Sequence, residues 1–244
     1  MHAAIDHGTA ELRPDPARPQ GWTLLVDGIA QSYVDLGDPG HLEFPYFQQM
    51  GRVLRRVPPR VLHLGGGALT LARLLHHRRP DAVQHVVERD AGLVTLVSRF
   101  LPFPEQIEVT VGDARDEVER RRGYDLIIVD VFEGAWAPAS VGSTGFAAAA
   151  RRALTSDGLL AMNLTDVPPL AHSRVQAATV REVFGDVVAL YGDAAVVKGR
   201  RAGNLILLAG NVPMIKVGKH ERTVRGTDLA EFIGGARPRL DELA

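Results

Sequence analysis

Between residues 60 and 210, short apolar runs alternate with longer stretches of helical periodicity, and this alternation limits the chain to few architectures. "RVLHLG", "VQHVVE", "IEVTVG", "YDLIIVD", "GLLAMNL", "VVALYG" and "GNLILLAG" read as strands. The segments between them read as helices, several stopped by Pro80, by Asp157-Gly158 or by charged turns. Strands and helices in strict alternation fold as a parallel-rich sheet covered by helices on both faces. In such sheets ligands bind beyond the carboxyl ends of the strands. The residues at those ends therefore carry the functional reading.

Four strand ends stand out. Gly65-Gly66-Gly67 follows the first of these strands and leads into a helix. Glycines there allow a sharp turn and a close backbone approach to a ligand. The loop departs from the dinucleotide pattern G-x-G-x-x-G, because Thr70 stands in place of the third glycine. Glu88 ends the next strand, where a carboxylate can accept hydrogen bonds from ribose hydroxyls. Asp113, between Gly112 and Ala114, ends the third; it suits an adenine amino group, and equally a helix N-cap. "YDLIIVDVFEG" ends the fourth with two acids, Asp130 and Glu133. Glycine loop, ribose acid, adenine acid and acidic loop, in this order on successive strands, are the layout of an S-adenosylmethionine (SAM) methyltransferase-like, Rossmann-like, doubly wound α/β sheet.

The remaining chain frames that unit. Residues 1–20 read as a Pro-rich lead-in, 21–36 as a β-hairpin turning at Asp27-Gly28, and 44–57 as a helix stopped by Pro58-Pro59. The expected organisation is an N-terminal tail, hairpin and helix over 1–58, a nucleoside-binding domain over 59–210, and a C-terminal helix and tail over 211–244. With 28 basic and 29 acidic residues the chain has no cationic excess, so no nucleic-acid partner is expected. It contains no cysteine, which removes disulfides and thiolate metal sites, and no apolar stretch long enough to span a bilayer. His76 and His77, adjacent on one helix, diverge, and no metal is expected. A soluble cytoplasmic protein is the expectation.

These motifs resemble the spermidine synthase family, aminopropyltransferases that use decarboxylated SAM. The resemblance runs from about residue 22 to 210. "LLVDGIAQS" is similar to the family's Leu-Asp-Gly-x-x-Gln stretch and implies that Gln31 contacts the nucleoside. "LEFPYFQQM" is similar to its Asp-Glu-Phe-x-Tyr-His-Glu-Met segment and places Tyr46 near the amine. "LHLGGGALT" matches its glycine loop, "VVERD" and "VGDA" its ribose and adenine acids, and "YDLIIVDVFEGAWAPA" its catalytic loop, with Pro138 at an adenine-packing proline. The resemblance implies decarboxylated SAM or SAM as co-substrate, a small-molecule amine or other nucleophile as acceptor, and a homodimer.

The departures fall on charge. Ala68 stands where the family has an acid after the glycines, Leu42 replaces the acid before Glu43, and Tyr46-Phe47-Gln48 replaces Tyr-His-Glu with one extra residue before Met50. Glu133 replaces an Asp, and the N-terminal β region is short. A carboxylate at 68 would repel the carboxylate of SAM, so Ala68 is expected to shift the pocket toward SAM. Asp130 is the expected proton acceptor for the amine, and Glu133 the expected holder of a second positive group. The readings that follow are aminopropyl transfer, use of SAM as a methyl donor to another small nucleophile, and a non-catalytic nucleoside-binding protein.

Overall fold

The computed structural model describes residues 1–132 and 138–241. The chain separates into two compact units, Met1–Asp113 and Ala114–Ala244.

The first unit opens with four antiparallel strands in sequential order: β1 (His2–Ile5), β2 (Gly8–Asp15), β3 (Arg18–Val26) and β4 (Ile29–Asp35). The expected hairpin is β3–β4. Its two-residue turn, Asp27-Gly28, has φ of 48° and 78°, the double positive φ that tight hairpins require. The stretch read as a loose lead-in is instead two further strands. Its prolines masked a period-two pattern in which Ala10 and Leu12 point inward and are buried. Pro14 is tolerated in β2 because it lies past the last residue paired with β1, at a register shift against β3.

Helix α1 (Pro45–Val53) follows, with proline in its first turn. Then come β5 (Arg60–Leu64), α2 (Thr70–Arg78), β6 (Val83–Glu88), α3 (Ala91–Phe100) and β7 (Ile107–Val111). β5, β6 and β7 pair side by side in parallel. The N-terminal sheet buries Ala10, Leu12, Leu24 and Val34 in one cluster with Ala68, Leu69, Ala72, Val86, Leu93, Leu96 and Val97. Asp90 caps α3 through Leu93 N at 2.7 Å, and the same carboxylate accepts from Asp6 N and His7 N in the β1–β2 turn. Arg73 is buried without a carboxylate among its hydrogen-bond acceptors. Its guanidinium donates to Ala68 O, Leu101 O and Pro102 O, so it ties the glycine loop to the end of α3. Burial draws its pKa down to about 10.

The second unit contains α4 (Ala114–Arg120), β8 (Tyr124–Val129), a short 3-10 turn at Ala139–Val141, α5 (Thr144–Ala153) and β9 (Leu154–Asp166). It continues with α6 (Ala171–Phe184), β10 (Val188–Asp193), α7 (Ala194–Val197), β11 (Gly203–Gly210), β12 (Glu221–Arg225) and α8 (Gly226–Ile233). Its strand order is β12-β10-β11-β9-β8. β8 and β9 are parallel, while β9–β11, β11–β10 and β10–β12 are antiparallel. Only residues 194–202 join β10 to β11, too few for a parallel crossover. The C-terminal stretch read as a helix with a tail contributes β12 before its helix.

Candidate active site

In the first unit the glycine loop is shaped by backbone needs that only glycine meets. Gly65 and Gly67 have φ of 97° and 50°. A Cβ at Gly67 would lie 2.6 Å from Ser32 Oγ, and one at Gly66 would press on Glu88 and Val86 at 3.2 Å. The loop amides converge on one acid. Gly66 N and Gly67 N donate to Glu88 Oε2 at 2.9 and 3.3 Å, and Asp90 N donates to Oε1 at 3.1 Å. Three backbone donors hold the Glu88 carboxylate in one orientation at the end of β6. Gly112 N donates to the Glu88 carbonyl at 3.0 Å, which sets the neighbouring turn. Asp113 follows, exposed, immediately before α4. The sequence-derived acids Glu88 and Asp113 and the three glycines thus lie at adjoining strand ends.

Gln31 lies on β4. The pairing of β3 with β4 shifts between Leu24↔Ser32 and Leu25↔Ala30, so Gln31 is the extra residue of a bulge. Such a bulge re-aims a side chain and is common beside functional sites. The next residue, Ser32, is buried and its Oγ accepts from Ala68 N at 3.3 Å. Thr70 Oγ1 donates to Tyr33 O at 3.0 Å. β4 is therefore bonded directly to the glycine loop, a contact that the sequence did not announce.

Ala68 corrects an expectation. Its side chain is 0% exposed, enclosed by the apolar cluster under the N-terminal sheet. It therefore does not select the donor by charge; a carboxylate there would enter the core. The altered amine segment is also resolved. Phe47 is buried, Tyr46 is half-buried with its ring 4.0 Å from that of Phe47, and Gln48 donates to Leu42 O at 2.8 Å. Glu43 is paired with His41 at 3.1 Å.

In the second unit Asp130 follows β8, half-buried. Asn163, 3% exposed on β9, donates Nδ2 to Asp130 Oδ1 at 2.8 Å. Asn204 Nδ2 in turn donates to Asn163 Oδ1 at 3.1 Å and to Thr165 Oγ1 at 2.9 Å. The motif reading missed this chain. The available signal was one asparagine inside each of the apolar runs "GLLAMNL" and "GNLILLAG", since a buried amide needs partners. Ala114 is the buried first residue of α4, and Pro138 precedes the 3-10 turn, its carbonyl accepting from Val141 N at 3.2 Å. Glu133 lies outside the described residues. Among the described residues no cluster of three or more His, Asp or Glu is placed to hold a metal ion, and no helix is long and apolar enough to cross a membrane.

A parallel-rich sheet with a glycine turn after its first strand and acids at the following strand ends defines a SAM-methyltransferase-like fold, here preceded by a four-stranded antiparallel sheet. No protein-family model matches the chain. It is 28% identical over 151 residues to a polyamine aminopropyltransferase from Vibrio vulnificus and 31% identical over 139 residues to one from Chromobacterium violaceum. These matches take in 59% and 54% of this chain and 50% and 53% of the relatives, so the chain spans about half the length of the curated relatives it matches. The crystal structure of a probable spermidine synthase from Corynebacterium glutamicum superposes with a TM-score of 0.92 at 28% identity, over 100% of this chain and 97% of that one. The chain is thus similar in sequence to polyamine aminopropyltransferases and in structure to a probable spermidine synthase.

Proposed function

We propose that the protein is a transferase that moves an aminopropyl group from decarboxylated SAM to a small-molecule amine, with Asp130 as the proton acceptor. The observation that carries this reading is the carboxylate of Asp130, held at the tip of an apolar strand by a buried amide dedicated to it. A strand-tip acid with its own orienting partner suits a general base better than a solvated loop acid. The sulfonium is already a good electrophile, so the protein's work is positioning. The amine gives its proton to Asp130, and its lone pair attacks the aminopropyl carbon. The new C–N bond forms as the C–S bond breaks, and sulfur keeps the electron pair, leaving methylthioadenosine.

The nucleoside would sit on the first unit. Glu88, already fixed by three amides, accepts the ribose hydroxyls, Asp113 the adenine amino group, and the loop 65–67 allows close approach. Gln31 on its bulge would contact the nucleoside, and Pro138 and Ala114 would pack the adenine. Tyr46 borders the amine, and Glu133 would hold its second positive group.

One observation favours a second reading, methyl transfer from SAM to a different nucleophile. Leu42, Phe47 and Gln48 are uncharged where the polyamine-binding pattern carries ionisable groups, and Glu43 is committed to His41. The experiment is to incubate the protein with SAM or decarboxylated SAM and a panel of diamines and triamines, with mass spectrometry of the nucleoside product. Methylthioadenosine with an aminopropylated amine is the expected result. S-adenosylhomocysteine with a methylated acceptor would establish the second reading. Nucleoside binding without turnover of either donor would leave a non-catalytic nucleoside-binding protein. We also propose a homodimer in solution, on the family resemblance.

A further inference from the structure

We infer that the ends of α1 and α2 form a phosphate-binding site, separate from the glycine loop, which takes inorganic phosphate or the phosphate group of a small-molecule ester. Segments distant in the sequence build it. His41 and Leu42 precede α1, Arg52 stands in its last turn, Arg55 lies just past its C-cap Leu54, and Arg78 ends α2. With Gly51 they line an open pocket of about 430 Å³, a volume within the range of small-ligand sites. α2 runs for nine residues from Thr70, beside the glycine loop, to Arg78. Roughly 12 Å of helix therefore separates the pocket from that loop. Tyr46, the residue read as bordering the amine, does not line it.

The pocket is cationic because nothing in it balances its arginines. No Asp or Glu lines it among the described residues. Arg78 donates Nη1 to Gly51 O at 2.7 Å and to Leu54 O at 3.1 Å, which caps the C-terminus of α1 and fixes the guanidinium. That helix end offers only about half an elementary negative charge, which one guanidinium already exceeds. Burial and the neighbouring charge of Arg55 both lower the Arg78 pKa, and no carboxylate raises it. Gly51 keeps the space open. Glycine is disfavoured inside a helix, yet a Cβ here would lie 2.8 Å from Leu42 Cδ1 and 3.6 Å from Arg78 Nη2. Its absence leaves room beside Nη2, the amino group that α1 does not occupy. A guanidinium fork matches an oxyanion in shape as well as charge. Phosphate carries about two negative charges at neutral pH and so balances Arg55 and Arg78 together, where a carboxylate balances one of them. An ammonium would be repelled, so the polyamine does not belong here.

The test titrates the full chain, labelled with nitrogen-15 arginine, at constant ionic strength and neutral pH. Inorganic phosphate is the first probe and ribose 5-phosphate the second, and the arginine Nε–H signals are followed by NMR. The signal missing from Arg55→Gln identifies Arg55. It should move saturably with phosphate in wild type. Tighter binding of ribose 5-phosphate assigns the site to an ester, and equal binding assigns it to the free ion. Arg55→Gln breaks no side-chain hydrogen bond of the fold. It should weaken phosphate roughly tenfold, the loss of one charged hydrogen-bond donor. Gly51→Ala, which narrows the pocket, should weaken it too; if that variant does not fold against Leu42, Arg55→Gln decides alone. Signals that move equally with sodium chloride, that never saturate with either probe, or an Arg55→Gln that binds phosphate as wild type does, overturn the inference.

Discussion

Glu88 joins two tasks in one side chain. Its Oε2 takes the amides of Gly66 and Gly67 and its Oε1 that of Asp90, so it both shapes the glycine loop and presents an oriented carboxylate at the strand end. Hydrogen bonds to a charged acceptor contribute about 1.5–3 kcal/mol each when broken one-sidedly. Glu88→Ala is therefore expected to weaken methylthioadenosine by roughly tenfold to a hundredfold, read by calorimetric titration, while the circular dichroism of the folded chain stays unchanged; retained affinity would remove the nucleoside assignment. Ala68 makes the opposite kind of prediction. It belongs to one buried apolar cluster with Leu12, Leu24 and Val86, so Ala68→Asp buries an unpaired carboxylate. A loss of about 3–5 kcal/mol in urea unfolding is expected, in place of any change of donor. A variant of wild-type stability with a shifted preference between SAM and decarboxylated SAM would show that position 68 meets the ligand after all.

At the scale of elements, two buried polar pairs should give acid unfolding two separate windows. His63 on β5 is buried, its Nε2 2.9 Å from Gln84 Oε1 on β6, and burial pushes its pKa from 6.5 down to about 4. The unfolded chain takes up that proton first, so stability falls as pH drops from about 6.5 to about 4, by roughly 3 kcal/mol in all. His63→Gln should flatten this part of the profile in urea titrations at pH 7 and pH 4.5. Asp35 on β4 works lower. Burial raises its pKa, but the Arg18 guanidinium at 2.5 Å and the amides of Gly37 and Asp38 outweigh that and leave it lowered. The stability from this group is present above its ordinary value near 3.8 and lost as pH falls through the folded value. Arg18→Ala should shrink this second loss, since the amides of Gly37 and Asp38 remain, while costing about 1–3 kcal/mol at pH 7 by leaving a buried carboxylate underpaired. A single transition, unmoved by either substitution, would contradict the assignment.

For the whole molecule, a bound nucleoside must raise thermal stability by mass action. Methylthioadenosine at a hundred times its dissociation constant adds about 2.7 kcal/mol, a rise in Tm of roughly 5–11 °C for a chain of this size. That shift should vanish in Glu88→Ala, and light scattering should return twice the chain mass. Much of this protein was set by sequence alone. The alternation of apolar runs with helical stretches fixed the α/β class, because each period buries only one kind of surface. The glycines at 65–67 and the acids Glu88, Asp113 and Asp130 were legible because special backbone angles and strand-end charges demand those residue types locally. The tertiary structure decided what depends on pairing between distant segments. Two strands hid under the prolines of residues 1–20, whose alternation became meaningful only against β3 and the core beneath it. The bulge at Gln31 exists only in the register of β3 with β4. Ala68 read as a missing charge in a ligand pocket, and its burial in one apolar cluster with Leu12 and Leu24 made it core. Asn163 and Asn204 were two isolated amides until β8, β9 and β11 brought them onto one face with Asp130, because hydrogen-bond polarity is a property of neighbours in space and no local pattern encodes it.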